Sequence, residues 1–226
     1  MKKKSPPQSK ISLLIIAEIL IGISASVLSF FIFLKLAVNI ESVHQIDVFI
    51  SMLVYELRTP LLTTLMFGIT ALGNELILIF MVAILLISIV RRHKREAVMV
   101  VLIFLLGVFL NLLLKEIIGR ARPDISPLIS EQFYSFPSGH AMNAFVFYTT
   151  LILYVYRVSR SVVLTMISAL INGSIIVLIG ISRIYLGVHY FTDVLAGFVA
   201  GFWLISTALA VEKSLRLLWR RRKSAT

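Results

Sequence analysis

The stretch from Ala97 to Leu114 reads AVMVVLIFLLGVFLNLLL and contains no charged residue. A helix needs about 20 predominantly apolar residues to cross the hydrocarbon core of a bilayer. The stretch therefore predicts a membrane-spanning helix. Its one strongly polar residue, Asn111, lies one helical turn before Lys115, which is the first charged residue after the stretch. Asn111 is expected to support that lysine from inside the helix.

Five other apolar stretches are long enough to predict further spans. They are Ile11–Val38, Asn74–Val90, Ala141–Tyr156, Val162–Ile181 and Phe191–Val211. The first is longer than the core of a cleaved signal peptide and is expected to remain as an anchor. No internal repeat or second soluble domain is visible. The 226 residues are thus expected to form a single all-α domain, residues 1–226, with six transmembrane helices.

Two shorter segments are expected to lie near the membrane surface between the first two spans. In Ile46–Leu57 the apolar residues fall near one helical face and the polar residues elsewhere, which is typical of a helix lying in the interface. Such a helix either caps the bundle by packing on it or forms the lip of a lateral route for a lipid. Leu61–Leu72 is the second interfacial segment.

The composition agrees with a membrane protein and excludes several other classes. Hydrophobic residues make up 59% of the chain, charged residues make up 15%, and the mean hydropathy is +0.98. A soluble domain needs more polar residues than this to cover its surface, and a disordered chain needs far more. There is no cysteine, which excludes disulfides, thiolate metal sites and cysteine nucleophiles.

The net charge of +11 follows from membrane topology and needs no nucleic-acid partner. Most of the lysines and arginines fall on one face, in Met1–Lys10, Arg91–Arg95, Arg157–Arg160 and Lys213–Lys223. The positive-inside rule assigns that face, and with it both termini, to the cytoplasm. The loops at the other ends of the spans are then extracytoplasmic, and the protein is expected in a plasma membrane.

Basic residues also occur on the outer face, where the rule does not favour them. Lys115 ends the third span, Arg122 follows seven residues later just before Pro123, and Arg183 ends the fifth span. A single lysine at a helix end is ordinarily an anchor whose charge reaches the membrane surface. Three cations converging on one side indicate an anion site instead, since arginine binds phosphate oxygens in a bidentate manner.

Two histidines accompany these cations. His140 follows Pro137 and Ser138, which read as a helix start, and the free N–H groups of such a start bind anions. His189 and Asp193 are four residues apart and share one helical face. A carboxylate beside a histidine fixes its tautomer, as in nucleophilic catalysis. The structural alternatives are an ordinary helix cap with an exposed histidine, and a salt bridge at a helix end.

Taken together, these residues resemble the three-part signature of the type 2 phosphatidic acid phosphatase, or lipid phosphate phosphatase, superfamily. The three parts are Lys115-x6-Arg122-Pro123, Pro137-Ser138-Gly139-His140 and Ser182-Arg183-x5-His189-x3-Asp193. The flanking sequence most resembles the bacterial phosphatidylglycerophosphatase B and undecaprenyl pyrophosphate phosphatase branches. The resemblance implies the helical core that acid phosphatases share with vanadium haloperoxidases, and a bacterial origin.

The resemblance also implies roles for these residues. His189 would be the nucleophile that forms a phosphohistidine, Asp193 would orient it, and His140 would protonate the leaving oxygen. The phosphate oxygens would be held by Lys115, Arg122, Arg183, Ser138 and Gly139, with Ser182 as a further contact. No metal or cofactor is implied. The activity would be hydrolysis of the terminal phosphate of a lipid phosphate or pyrophosphate at the outer membrane face.

Other interpretations and several open points accompany this one. A non-catalytic phospholipid-binding or transport protein would use the same cations, and a vanadate-dependent haloperoxidase would use the same pocket. Arg120 is expected to be an exposed neighbour of the site, and Glu18 to have a structural role. The substrate could be phosphatidylglycerol phosphate, undecaprenyl pyrophosphate or phosphatidic acid. The sequence does not determine which, nor the oligomeric state or the role of Asn172.

Overall fold

In the computed structural model, residues 8–225 are described, and their side chains are described for residues 13–219 and Arg222. The regular structure of this part is entirely helical. The helices are α1 (Gln8–Val38), α2 (Ile40–Glu56), α3 (Pro60–Ala71), α4 (Glu75–Val90), α5 (Lys94–Ile118), α6 (Gly139–Ser159), α7 (Val162–Tyr185) and α8 (Phe191–Ala225). The basic N-terminal segment counted above lies largely outside the described residues.

Five helices are long and apolar enough to span a membrane, namely α1, α5, α6, α7 and α8. The predicted surface segment Leu61–Leu72 and the predicted span Asn74–Val90 correspond to α3 and α4, which meet at a bend of 41°. Because α4 has only 16 residues, it rises about 24 Å and is shorter than a hydrocarbon core of about 30 Å. Together the two helices are long and apolar enough for a broken span or a re-entrant loop.

Local sequence explains where the helices that carry the site begin and end. The Ser138 hydroxyl accepts a hydrogen bond from the N–H of Ala141 and caps α6, and Ser161 caps α7 in the same way. At the end of α5, Gly119 adopts a left-handed backbone with a φ of 64°, which favours glycine. The chain leaves α5 there and forms the loop of residues 119–138.

Helix α6 lies at the centre of the bundle and packs against α5, α7 and α8. Its residues Ala144, Phe147 and Tyr148 belong to the largest buried apolar cluster, together with Phe104 of α5 and Ile179 of α7. Since α6 is held on several sides, its N-terminal turn is fixed at the centre of one end of the bundle.

The N-terminal helix is held against α8 by polar contacts within an otherwise apolar interface. Glu18 forms an ion pair with Lys213 at 2.7 Å, and the hydroxyls of Ser26 and Thr207 lie 2.7 Å apart. Such pairs satisfy groups that would be costly in hydrocarbon. The structural role predicted for Glu18 agrees with this contact.

Helix α2 turns its polar face towards the protein. Asp47 and Ser51 are its buried residues, whereas Ile46, Phe49 and Leu57 are exposed. The amphipathic pattern seen in the sequence is therefore real, but the apolar face is the outer one. This arrangement suits a helix that contacts lipid on one side and packs on the bundle with the other.

Candidate active site

All three sequence motifs meet at one end of the bundle. Lys115 lies in the last turn of α5, Arg122 in the following loop, and His140 in the first turn of α6. Arg183 lies in the last turn of α7, and His189 lies in the short connection to α8. Residues that are distant in sequence thus come from three helix ends and two loops that share one face.

A cavity of about 220 Å³ opens among these residues. Its lining consists of Asn74, Val108, Asn111, Leu112, Lys115, Arg122, Glu131, Phe133, Gly139, His140, Asn143 and His189. Both histidines and two of the three predicted cations therefore face one enclosed space. The apolar part of the lining comes mainly from α5, on the side where a lipid chain could lie.

Asp193 and Ser135 lie beside Nδ1 of His189. Nδ1 is 3.6 Å from Oδ2 of Asp193 and 3.4 Å from the hydroxyl of Ser135, which itself donates to the fully buried Asp193 carboxylate. Because a carboxylate only accepts hydrogen bonds, this geometry favours the tautomer with the proton on Nδ1. Nε2 is then unprotonated, and its lone pair accepts a hydrogen bond from Nη1 of Arg122 at 3.3 Å.

Burial lowers the pKa of His189 to about 4, although the neighbouring Asp193 acts in the opposite direction. Arg183 and Arg122 also lower it, since a second positive charge is unfavourable beside them. The imidazole is therefore neutral at neutral pH. A neutral ring with an unprotonated Nε2 is the form that can act as a nucleophile.

Arg122 is held in place by backbone carbonyls. Its Nε donates to the carbonyl of Phe133 at 2.7 Å, and Nη1 donates to that of Val188 at 2.8 Å. The guanidinium is thereby fixed beside Nε2 of His189 rather than left free in solvent. Lys115, the second cation of the first motif, donates to the carbonyl of Tyr134 in the same loop.

Arg183 is connected to the cavity by an ion pair with an acidic residue that the sequence did not indicate. Its side chain donates to Thr70 at 2.7 Å and forms an ion pair with Glu131, which lines the cavity. Among the described residues, Nε of Arg183 is buried without a hydrogen-bond partner. Arg183 is thus held in place, but its positive charge is paired with the carboxylate of Glu131 at the cavity wall.

The start of α6 completes the wall of the cavity. Ser138 is fully buried, and its N–H donates to the carbonyl of Asp193 at 2.9 Å, which ties α6 to α8. A Cβ on Gly139 would lie 2.9 Å from Oδ1 of Asn111, so a larger residue there would require the Asn111 side chain to move. Asn111 in turn donates to the carbonyl of Pro137 at 3.3 Å. It therefore supports the second motif rather than Lys115.

Ser182 is not brought to the cavity. Its hydroxyl donates to the carbonyl of Ile179 in its own helix at 2.7 Å, and the side chain is fully buried. Asn172, for which the sequence suggested no role, donates hydrogen bonds to Ser168 in the preceding turn of α7.

Within the described residues, no group of three or more His, Asp or Glu side chains is arranged to hold a metal ion.

Several residues around the site were missed or misjudged from the sequence. The prediction that Arg120 is exposed was wrong, because it is buried between Asp47 and Asp193. Ser135 was also missed, although its hydroxyl donates to Asp193. The available signal was position: Arg120 lies two residues before Arg122, and Ser135 lies three before Ser138, inside the segment that joins the first two motifs.

Comparison with known proteins agrees with this constellation. The profile of the PAP2 superfamily matches residues 96–216, which contain all three motifs. Phosphatidylglycerophosphatase B of Bacillus subtilis is 36% identical over 196 residues, covering 84% of this chain and 95% of that protein. Undecaprenyl-diphosphatase of Sulfolobus acidocaldarius is 29% identical over 159 residues, covering 68% of this chain and 72% of that protein.

Solved structures show the same fold. The crystal structure of a transmembrane PAP2-type phosphatidylglycerolphosphate phosphatase from Bacillus subtilis matches with a TM-score of 0.77 and 38% identity. That match covers 81% of this chain and 94% of the other. LpxE of Aquifex aeolicus matches with a TM-score of 0.56 and 26% identity, covering 72% of this chain and 92% of the other.

The fold and the three motifs define a polytopic membrane protein of the phosphatase type. The chain belongs to the PAP2 superfamily, which confirms the resemblance seen in the sequence. The relatives described above are named as phosphatases, so neither a haloperoxidase nor a non-catalytic binding protein is favoured.

Proposed function

We propose that this protein is a membrane phosphatase that removes the terminal phosphate from a lipid phosphate or pyrophosphate through a phosphohistidine on His189. The observation that carries the proposal is the orientation of this side chain. Nδ1 faces Asp193 at 3.6 Å, and Nε2 faces a cavity lined by Lys115, Arg122 and His140. A ligand phosphate in that cavity would have the nucleophile on one side and cations around it.

In the first step, the lone pair on Nε2 of His189 attacks phosphorus, and a P–N bond forms as the P–O bond to the lipid breaks. The leaving oxygen carries away the bonding pair and takes a proton from His140. The phosphoryl group remains on Nε2. Asp193 stabilises the positive charge that the imidazole acquires through its contact with Nδ1.

In the second step, water attacks the phosphohistidine, and His140, now unprotonated, takes a proton from that water. The P–N bond breaks, its electron pair returns to Nε2 of His189, and inorganic phosphate leaves. Two proton transfers through His140 therefore balance over one turnover. The products are the dephosphorylated lipid, phosphate and the regenerated enzyme.

The three cations Lys115, Arg122 and Arg183 take the part that a metal ion plays in other phosphoryl-transfer sites. Such reactions are catalysed mainly by positioning and by neutralising charge on the equatorial oxygens. The N-terminal turn of α6 adds the hydroxyl of Ser138 and the backbone N–H of Gly139, since the N–H of Ser138 is already bound to the carbonyl of Asp193. We therefore expect activity that does not depend on a divalent metal.

The names of the relatives support a lipid substrate and leave its headgroup open. Phosphatidylglycerol phosphate, undecaprenyl pyrophosphate and phosphatidic acid share the terminal phosphate that the cavity would hold. The lipid chain would approach sideways, past the apolar outer face of α2 and the apolar lining from α5. The active site would face away from the cytoplasm, because the basic segments lie at the other ends of the spans.

Phosphate release in detergent with excess chelator tests the proposal. The purified protein would be offered phosphatidylglycerol phosphate and undecaprenyl pyrophosphate in parallel, with His189→Ala as the inactive variant. His93→Ala is a matched control, because this histidine precedes α5 at the opposite end of the bundle. Full activity of His189→Ala, or activity abolished by the chelator, would contradict the mechanism.

Two further measurements test the intermediate and the orientation. Brief reaction with a substrate labelled in its terminal phosphate should leave acid-labile, base-stable label on the wild type but not on His189→Ala. For orientation, the chain contains no cysteine, so Ser130→Cys in the site loop and Arg92→Cys at the opposite end can be labelled singly. An impermeant maleimide added to intact cells should label only Ser130→Cys.

A further inference from the structure

Arg120 is a buried cation that the proposed chemistry does not use. Only 8% of the residue is exposed, and its guanidinium bridges two carboxylates from different helices. Nη2 lies 2.7 Å from Oδ2 of Asp47 in α2, and Nη1 lies 2.6 Å from Oδ1 of Asp193 in α8. The guanidinium also lies over the ring of Tyr190, 4.3 Å from its centroid.

Both carboxylate oxygens of Asp47 accept hydrogen bonds in this arrangement. Oδ1 accepts from the backbone N–H of Thr192 at 3.0 Å, and Oδ2 accepts from Arg120 and from the Thr192 hydroxyl. The carboxylate is fully buried. We call the linked side chains of Asp47, Arg120 and Asp193 the carboxylate–arginine chain.

The carboxylate–arginine chain contacts His189 through Asp193, and the two oxygens of that carboxylate have different partners. Oδ1 is held by Arg120, while Oδ2 accepts from Ser135 and from the N–H of Tyr190 at 2.8 Å. Oδ2 is also the oxygen that faces Nδ1 of His189. Since Arg120 fixes one oxygen, the carboxylate cannot rotate without losing its alignment with the histidine.

We propose that Arg120 and Asp47 are positioning residues, which fix the Asp193 carboxylate and thereby set the orientation and basicity of His189. The proposal rests on the proposed function, in which His189 is the nucleophile. It also gives α2 a role beyond packing, because Asp47 links this lipid-facing helix to the reactive histidine.

Loss of the Arg120 charge and loss of the Asp47 charge should shift the pKa of His189 in opposite directions. Burial lowers the pKa of Arg120, but the two carboxylates outweigh it and raise the pKa above its usual value, so the charge is retained. Removing this positive charge strengthens the effect of Asp193 and should raise the pKa of His189. Removing the negative charge of Asp47 should lower it. The other charged or titratable groups near Arg120, Asp193 and His189 include His44 on α2, Lys115 on α5, Arg122, Asp124 and Glu131 in the loop, His140 on α6, Arg183 on α7, and Tyr190.

The test compares kcat and KM over a range of pH for Arg120→Gln and Asp47→Asn in detergent-purified full-length protein. We expect Arg120→Gln to lower kcat by about 10–100-fold, the size of the loss seen when groups that support a metal-bound histidine are removed. KM should change by less than about threefold, because substrate is not contacted. In the pH profile of kcat/KM, the acidic limb, where activity falls as His189 gains a proton, should move to higher pH in Arg120→Gln and to lower pH in Asp47→Asn.

Arg157→Gln provides a control for the loss of a partly buried ion pair. Arg157 lies 2.6 Å from Glu212 at the opposite end of the bundle, so its loss should affect stability without moving the acidic limb. Unpaired charges could prevent either single variant from folding. The double variant Asp47→Asn/Arg120→Gln removes both charges, and its loss of kcat should not exceed that of Arg120→Gln, because both residues act through Asp193.

Three results would overturn the proposal. They are a wild-type kcat and acidic limb in Arg120→Gln, shifts of the limb in the same direction in both single variants, or the same loss of kcat in Arg157→Gln. The parallel variant His189→Ala separates the two proposals. If it remains active, the proposed function fails. If it is inactive while Arg120→Gln behaves as wild type, only the positioning role fails.

Discussion

The carboxylate of Glu131 is paired with the positive charge of Arg183, and we predict that Glu131→Gln will bind phosphate more tightly. The carboxylate pairs with Arg183 and lies 3.9 Å from Arg122. An incoming phosphate has to replace this carboxylate or lie beside it. In either case the negative charge of Glu131 opposes binding, whereas a neutral glutamine of the same size does not.

The size of the effect can be worked from the geometry. A hydrogen bond to a charged group contributes about 1.5–3 kcal/mol. Because a quarter of the Glu131 side chain is exposed, solvent screening reduces this contribution to about 1–2 kcal/mol. Affinity changes tenfold for about 1.4 kcal/mol. We therefore expect the inhibition constant for inorganic phosphate to fall about tenfold.

The assay is competitive inhibition of lipid hydrolysis by phosphate, with direct binding measured by calorimetry on His189→Ala. Glu116→Gln is the matched control, since it makes the same change of charge in an exposed residue near the end of α5. Weaker phosphate binding in Glu131→Gln would refute the reasoning. It would mean that the carboxylate serves mainly to hold Arg183 in place.

Three further predictions concern the histidine, the helix break and the N-terminal helix. NMR of labelled histidine should show His189 neutral down to about pH 4, with kcat/KM falling as the ring gains its proton below that point; titration near the ordinary histidine pKa would contradict this. Gly73→Ala would place a Cβ 2.8 Å from a core isoleucine of α7 and 3.4 Å from His140, and should cost about 1–3 kcal/mol of stability and lower kcat. Gly68→Ala, which meets nothing within 4 Å, should do neither in the same thermal and kinetic assays. Glu18→Gln should leave stability and kcat nearly unchanged, because glutamine can still accept a hydrogen bond from Lys213; a large loss of activity would show that this contact does more than hold α1.

The sequence predicted the membrane fold and the residues of the three motifs well. Long apolar stretches can be recognised without tertiary information, because a bilayer requires about 20 apolar residues in each span whatever the neighbouring helices are. The sequence left the arrangement of residues 60–90 open. A break at Gly73 can separate a surface segment from a span, or it can bend one span, and the sequence is the same in both cases.

Residues that act through another side chain were the ones that sequence reasoning missed. Asp47 lies 73 residues before Arg120, and Arg120 lies 73 before Asp193. Periodicity along one helix does not report contacts at such separations. The same limit explains Glu131, whose loop position gave no indication that it would reach Arg183 in α7.

The sequence by itself determined that this is a membrane protein with a cluster of cations and two histidines at one surface. The motifs identified these residues, because the chemistry of lysine, arginine and histidine side chains towards a phosphate can be inferred without knowing the fold. Only the tertiary structure decided which oxygen of Asp193 faces His189, which carboxylate meets Arg183, and which face of α2 lies inward. Those features depend on how helices distant in sequence pack together, because burial and distance set the charges and orientations that the chemistry requires.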